Sequence, residues 1–209
     1  MNERGIIMPA KGQKRRQQIV DTAKKMFIEQ GFQSTHIGQV CEALNIARGT
    51  VYQYFGNKRE ILYAILESIE ESIDDILDPD DLRDLLKDNP SQKDIIKFNT
   101  ERITECVKAI IEEPIVIKLV FKDIVGIDEE VIERVDQFLK HLINIVSRDV
   151  EEIKKKGLYK KTLHSDITAI ILIGSIMLLV YQFDKEKKDV TDKEVINALV
   201  SHYFTGVLK

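Results

Sequence analysis

Two helices too short to be stable alone, joined by a tight turn, are written into residues 35–58, THIGQVCEALNIARGTVYQYFGNK. Ile37, Val40, Cys41 and Leu44 recur at i, i+3, i+4 and i+7, which makes one apolar helical face. Thr35, preceded by Ser34, is expected to cap that helix, because a threonine hydroxyl can accept from a free first-turn N–H. The pattern breaks at Asn45, a residue that tolerates the left-handed conformation. A second short helix is expected from Arg48 to Tyr54, anchored by Ile46, Val51 and Phe55. Its other face carries Arg48, Thr50, Gln53 and Tyr54, which donate hydrogen bonds or stack. A helix with such a face can lie in a DNA major groove while its predecessor crosses the backbone.

In register with this pattern stand Gly31, Phe32, Thr35, Val40, Ile46, Gly49, Thr50, Tyr52, Tyr54, Phe55, Lys58 and Leu62. The run resembles the N-terminal DNA-binding domain of the TetR (tetracycline-repressor-like) family of transcriptional regulators. Asn45 stands where that family has a turn glycine, Cys41 where it has alanine, and Ala47 where it has a capping Ser or Thr. The last change removes a cap of about 1 kcal/mol. The resemblance implies a homodimer joined through its last two helices, binding a palindromic operator as a repressor released by a small molecule. It also implies phosphate contacts near Lys14, Arg15 and Arg16, and a fourth helix that transmits movement between the two halves. Groove contacts are expected from Arg48, Thr50, Gln53 and Tyr54, with Gly49 permitting close approach to the DNA. Phosphate contacts are expected from Thr35, His36, Tyr52 and Lys58.

Charge is distributed accordingly. Residues 1–60 hold ten Lys and Arg against five Asp and Glu, whereas the remainder holds 21 against 30. A basic unit that meets phosphates, followed by an acidic one that does not, suits this division. With only four prolines and ten glycines in 209 residues, long helices are allowed and an all-β fold is disfavoured. The expectation is all-α, with about nine or ten helices. Residues 1–12 form a disordered leader, 13–58 the DNA-binding domain, and 59–209 an effector-binding and dimerisation domain. Two cysteines, Cys41 and Cys106, make neither a disulfide framework nor a metal pattern. Both are expected in the core. No signal peptide is evident, and a reduced cytoplasmic setting is expected.

Further along, Lys58 to about Leu77 carries an apolar stripe, and Asp78-Pro79 and Asn89-Pro90 punctuate the chain. Gly126-Ile127-Asp128 is expected to turn it before a long helix from Glu129 to Lys156, ended by Gly157. The run Ile167–Tyr181 has 15 residues, short of the roughly 20 that cross a bilayer, and reads as a helix buried nearly all round. After it, Asp184–Asp189 is expected to form a solvated loop, and Thr191 with Glu194 a capping box. Residues 165–208 have more apolar surface than one bundle face can use, which suits a two-fold interface.

No H-E-x-x-H, P-loop or G-x-S-x-G motif occurs. Neither catalytic residues, a metal nor a cofactor is expected. The effector pocket is expected among the helices of residues 91–183, with Phe98, Phe121, Phe138, Met177 and Tyr181 as lining. The aliphatic composition and the lack of Trp point to an acyl or other lipophilic ligand. Two alternatives stand beside this reading. One is an effector-free DNA-binding protein whose C-terminal part is a dimerisation or partner-binding scaffold. The other, resting on Ile167–Tyr181 alone, is a peripheral membrane module.

Overall fold

The four prolines are too few to break up long helices, and Pro79 stands at the first position of one. The fold is given by a computed structural model that describes residues 10–121 and 128–208. Among the described residues there are ten helices: α1 (Ala10–Gln30), α2 (Ile37–Leu44), α3 (Arg48–Tyr52), α4 (Lys58–Ile76), α5 (Pro79–Lys87), α6 (Gln92–Glu112), α7 (Ile115–Phe121), α8 (Glu129–Lys155), α9 (Ser165–Glu186) and α10 (Lys193–Val207). The architecture is all-α, as composition and periodicity require. One isolated antiparallel bridge joins Tyr159 to Leu208.

Left-handed residues end five of these helices, Asn89 (φ 49°) doing so for α5. Gly31 (φ 89°) ends α1 and Gly157 (φ 76°) ends α8, positions where a side chain would be strained. Asn45 (φ 50°) ends α2 as the sequence implied, its N–H reaching Glu42 while the Ile46 N–H reaches the Cys41 carbonyl. Lys187 (φ 56°) ends α9, which therefore runs through Glu186 where a solvated loop was expected. Helix starts follow equally local rules. Ser91 and Asp94 satisfy each other's backbone N–H at the head of α6, and Asp128 accepts from the Val131 N–H ahead of α8. At α10 the cap is Asp192, which accepts from the Glu194 N–H at 2.7 Å. The Thr191 hydroxyl donates instead to Asp189, so the expected Thr191–Glu194 box does not form. The leader expected over residues 1–12 lies outside the described residues up to position 9, and α1 already begins at Ala10. Gly126 and Ile127 also lie outside them.

The chain forms two compact units, Met1–Ser68 with Lys118–Arg134, and Ile69–Ile117 with Val135–Lys209. In the first, Ile19, Ala23, Phe27, Phe32, Val40, Val51, Phe55 and Leu62 are buried, and Phe27 meets Phe32 edge-on at 5.1 Å. Lys118 donates to the Ile28 carbonyl, and Arg59 pairs with Asp128 and Glu130. In the second, α6 packs against α9 and α10. Phe138, Val150 and Ile153 of α8 join Ile95 and Val107 of α6 in its core.

Helix α9 departs from the sequence reading. Thr168, Ala169, Leu172, Ile176, Met177 and Val180 are buried, but Ile167, Ile170, Ile171 and Leu178 are each at least half exposed. The helix has one packed face and one open apolar face. By length and composition alone the helix could cross a membrane, a test that the core helix of a soluble protein passes equally.

Candidate nucleic-acid interface and ligand cavity

The α2–turn–α3 unit is set by a small number of buried anchors. Val40 and Cys41 hold α2 down, Val51 and Phe55 hold α3, and Asn45 supplies the left-handed turn between them. Cys41 is therefore a core thiol. Helix α3 spans only Arg48–Tyr52, shorter than the expected Arg48–Tyr54, with Gln53 and Tyr54 in the turn that follows. Ala47 occupies its N-cap without a side-chain bond, as the missing hydroxyl requires.

This leaves an outward surface. Arg48, Gly49, Tyr52 and Gln53 are exposed, Tyr52 by 53%, while Thr50 and Tyr54 are half-buried. A Cβ built on Gly49 would meet no atom within 4 Å, so nothing in the chain itself demands a glycine there. The Arg48 guanidinium lies back over Gly38 of α2, where a Cβ would come within 2.9 Å of Nη2. Exposed His36 is the N-cap of α2, and its N–H donates to the Gln39 side chain at 2.6 Å. On α1, the Arg16 guanidinium sits 5.0 Å from the centre of the Phe55 ring.

Two expected phosphate contacts have other work. Thr35 is fully buried, and its hydroxyl donates to the Gly31 carbonyl at 2.9 Å. It neither caps α2 nor presents its side chain to a ligand; it ties the end of α1 to the start of α2. Lys58 donates to the carbonyls of Phe32 (2.6 Å) and Gln33 (3.1 Å) and lies 4.3 Å from the centre of the Phe32 ring. Partial burial lowers its pKa, against the opposing pull of Asp128. Lys58 thus pins the α1–α2 connection. Lys58→Met should lower stability by about 1–2 kcal/mol, as expected for loss of charge-assisted bonds at a half-buried site. Thermal denaturation checks this, and the salt dependence of DNA binding should stay at the wild-type slope. The start of α4 has its own cap, missed in the sequence: Asn57 accepts from the Glu60 N–H, and Glu60 accepts from the Gly56 N–H.

Within the second unit, α4, α6, α8 and α9 enclose a cavity of about 80 Å³. Phe138 and Met177 line it as expected. Phe98, Phe121 and Tyr181 do not: the Phe98 ring is engaged by the Arg102 guanidinium at 4.9 Å, and Phe121 is exposed. Aromatic character identified these residues, but it does not say which way a helix faces. Most of the lining is Ile, Leu and Val, with Arg102, Asp149, Asn99, Tyr159, Tyr203 and Cys106 as the polar exceptions. Burial pushes the Cys106 thiol up to about 11, which keeps it protonated at neutral pH. Tyr159 hydrogen-bonds to Tyr203, and burial raises the pKa of both. No group of three or more His, Cys, Asp or Glu is placed to hold a metal among the described residues.

A short helix presenting polar side chains and an open glycine, set by a left-handed turn on a second short helix, defines a helix-turn-helix DNA-binding protein. Residues 19–65 match the family model described as bacterial regulatory proteins, tetR family. The chain is 23% identical over 198 residues to the uncharacterized HTH-type transcriptional regulator YhgD of Bacillus subtilis (strain 168), covering 90% of this chain and 94% of that protein. It is 40% identical over 57 residues to the HTH-type transcriptional regulator HbdR of Aromatoleum sp. (strain CIB), a match spanning only 27% of this chain and 25% of that one. Among solved structures, FadR from Bacillus subtilis in complex with stearoyl-CoA has a similar fold. Its TM-score is 0.70 at 18% identity, over 91% of this chain and 98% of that one. The model match over residues 19–65 and the likeness to these regulators support a TetR-family transcriptional regulator.

Proposed function

We propose that the chain is a homodimeric repressor that binds a palindromic operator through residues 13–58. A small lipophilic compound entering the helical region 59–209 releases it, and the setting is cytoplasmic. The observation that carries the reading is the exposed set on and after α3, Arg48, Gly49, Tyr52 and Gln53, with open space beside Gly49. Arg48, Thr50, Gln53 and Tyr54 are assigned to base edges, and His36 and Tyr52 to phosphates, since base contacts specify while phosphate contacts position. Dimerisation is assigned to α9 and α10. The open apolar face of α9 supports this, as does Gly174 on it, where a Cβ would meet nothing within 4 Å.

Gly49→Ala separates fold from function. The new methyl meets no neighbour, and a helical Ala is favoured over Gly by about 0.5–1 kcal/mol, so the variant should be at least as stable as wild type. Operator affinity should fall, because the methyl stands where the backbone approaches DNA. Denaturation and a binding titration on one preparation check both halves.

The operator itself is tested by selecting bound duplexes from a random pool. The expected result is an inverted repeat whose half-site centres are about 34–36 Å apart, or a multiple of that spacing. Enriched sequences without two-fold symmetry would contradict the dimeric reading. The stearoyl-CoA bound by the similar FadR structure supports a lipophilic effector class. The size of the cavity favours a second reading, a DNA-binding dimer without effector, because about 80 Å³ is far below the roughly 300–1,000 Å³ of drug-sized sites. A rise in melting temperature with a lipophilic compound would exclude that second reading.

A further inference from the structure

The cavity has one charged side, and the inference drawn from it rests on the effector-responsive function proposed above. Arg102 uses three of its five N–H donors on three different segments. Nε donates to the Ile76 carbonyl at 3.2 Å, Nη2 to the Asp78 carbonyl at 3.3 Å, and Nη1 to Asp149 Oδ2 at 2.8 Å. Ile76 is the last residue of α4, and Asp78 caps α5. One guanidinium therefore holds the end of the helix that begins at Lys58, while its charge is balanced by a carboxylate lining the same cavity. Arg148, partly exposed, donates from Nε and Nη2 to the other Asp149 oxygen. Two guanidinium groups share one carboxylate, so the cluster has an excess positive charge. The rest of the wall is apolar, including Ile73, Ile103, Leu142, Leu172 and Met177.

We propose that this cavity takes a compact lipophilic carboxylic acid, whose carboxylate replaces the Asp149 side chain on Arg102 and so loosens the hold of Arg102 on the end of α4. A planar guanidinium binds a carboxylate in bidentate fashion, which is the strongest form of this contact. Asp149 keeps a cationic partner when it leaves Arg102, because its second oxygen is already held by the partly exposed Arg148. Burial also raises the Asp149 pKa more than its two arginines lower it, so the anion is poorly solvated where it lies. A cavity of about 150 Å³ is needed for a ligand the size of benzene, so an acid enters this smaller one only as side chains move. Asp149 and the flexible Met177 are the lining groups best able to do so. Binding is thereby tied to a changed arrangement at α4, as differential affinity for two states requires. A neutral alcohol cannot take over the charge of Asp149, and an amine meets the fixed charge of Arg102.

The test uses the full-length protein and its selected operator. Butanoate, hexanoate, octanoate, decanoate and benzoate are compared with the matching alcohols and amines, by melting temperature and by operator affinity. At least one carboxylate is expected to raise the melting temperature and weaken operator binding about tenfold or more, while its alcohol and amine do neither. Replacing the pair together, Arg102→Met with Asp149→Leu, keeps the site apolar and folded and should make acid and alcohol equivalent. Arg102→Lys should retain a weaker preference for the acid. Alcohols or amines acting as strongly as acids would overturn the proposal. So would a double variant that still discriminates, or an absence of any thermal shift in a protein that binds its operator normally. If operator binding itself is absent, the proposed function fails, and the thermal shifts still decide the ligand class.

Discussion

Replacing Ile171 with Glu is expected to leave a folded chain that no longer dimerises and that binds its operator about two to four orders of magnitude more weakly. Ile171 is 59% exposed on the open face of α9, between Ile167 and Leu178. Within one chain a charge there displaces little, and surface substitutions of this kind fall within about 0.5 kcal/mol. In an interface between two copies of α9 the same carboxylate would be buried without a partner, which costs several kcal/mol before the group neutralises. Losing the dimer turns one two-handed binding event into two separate ones, and the second hand contributes about 10²–10⁴ in affinity. Light scattering and a DNA titration on the same sample read both effects. A dimer of unchanged mass and affinity would move the interface elsewhere.

Arg102→Met should lower stability by about 3–5 kcal/mol, the usual result of removing one member of a buried ion pair. Arg102 and Asp149 are each only 8% exposed. The single variant strands the Asp149 carboxylate and deprives the Ile76 and Asp78 carbonyls of their donor. Adding Asp149→Leu should recover the part of the loss that comes from the stranded carboxylate, while the Ile76 and Asp78 carbonyls stay without their donor. Denaturant titrations should show the midpoint fall and partly return while the slope stays constant, the sign of a change in stability alone. A single variant within about 1 kcal/mol of wild type would mean that water already reaches the pair.

The helix-turn-helix was readable from sequence because each part is fixed locally. Apolar spacing places Val40, Val51 and Phe55 inside, and Asn45 marks the turn by its own backbone preference. Helix ends were readable for the same reason at Gly31, Asp128 and Gly157. What was not readable depends on partners distant in sequence. Lys58 has the composition of a phosphate ligand, and only folding shows that two carbonyls 25 and 26 residues earlier claim it. Thr35 has the composition of a cap, and its burial against the end of α1 redirects its hydroxyl. Arg102 and Asp149 are 47 residues apart, and each alone resembles any other charged residue on an amphipathic helix. Residue type alone does not say which way a helix faces, and Phe98, Phe121 and Tyr181 do not line the cavity. The run in α9 revealed its apolar character but not that half of it would remain open.

The outward surface at α3 is the part proposed to read DNA sequence. The direct measurement is fluorescence anisotropy of wild type and of Arg48→Ala/Gln53→Ala on the selected operator and on a scrambled duplex, over a salt series. Both side chains are exposed, so the double variant should fold as wild type does. The account predicts that wild type prefers the operator, and that the variant loses about 1–3 kcal/mol of that preference per lost base contact. Binding of the variant to the scrambled duplex should persist and remain steeply salt-dependent. A variant that still distinguishes operator from scrambled DNA as well as wild type does would contradict it.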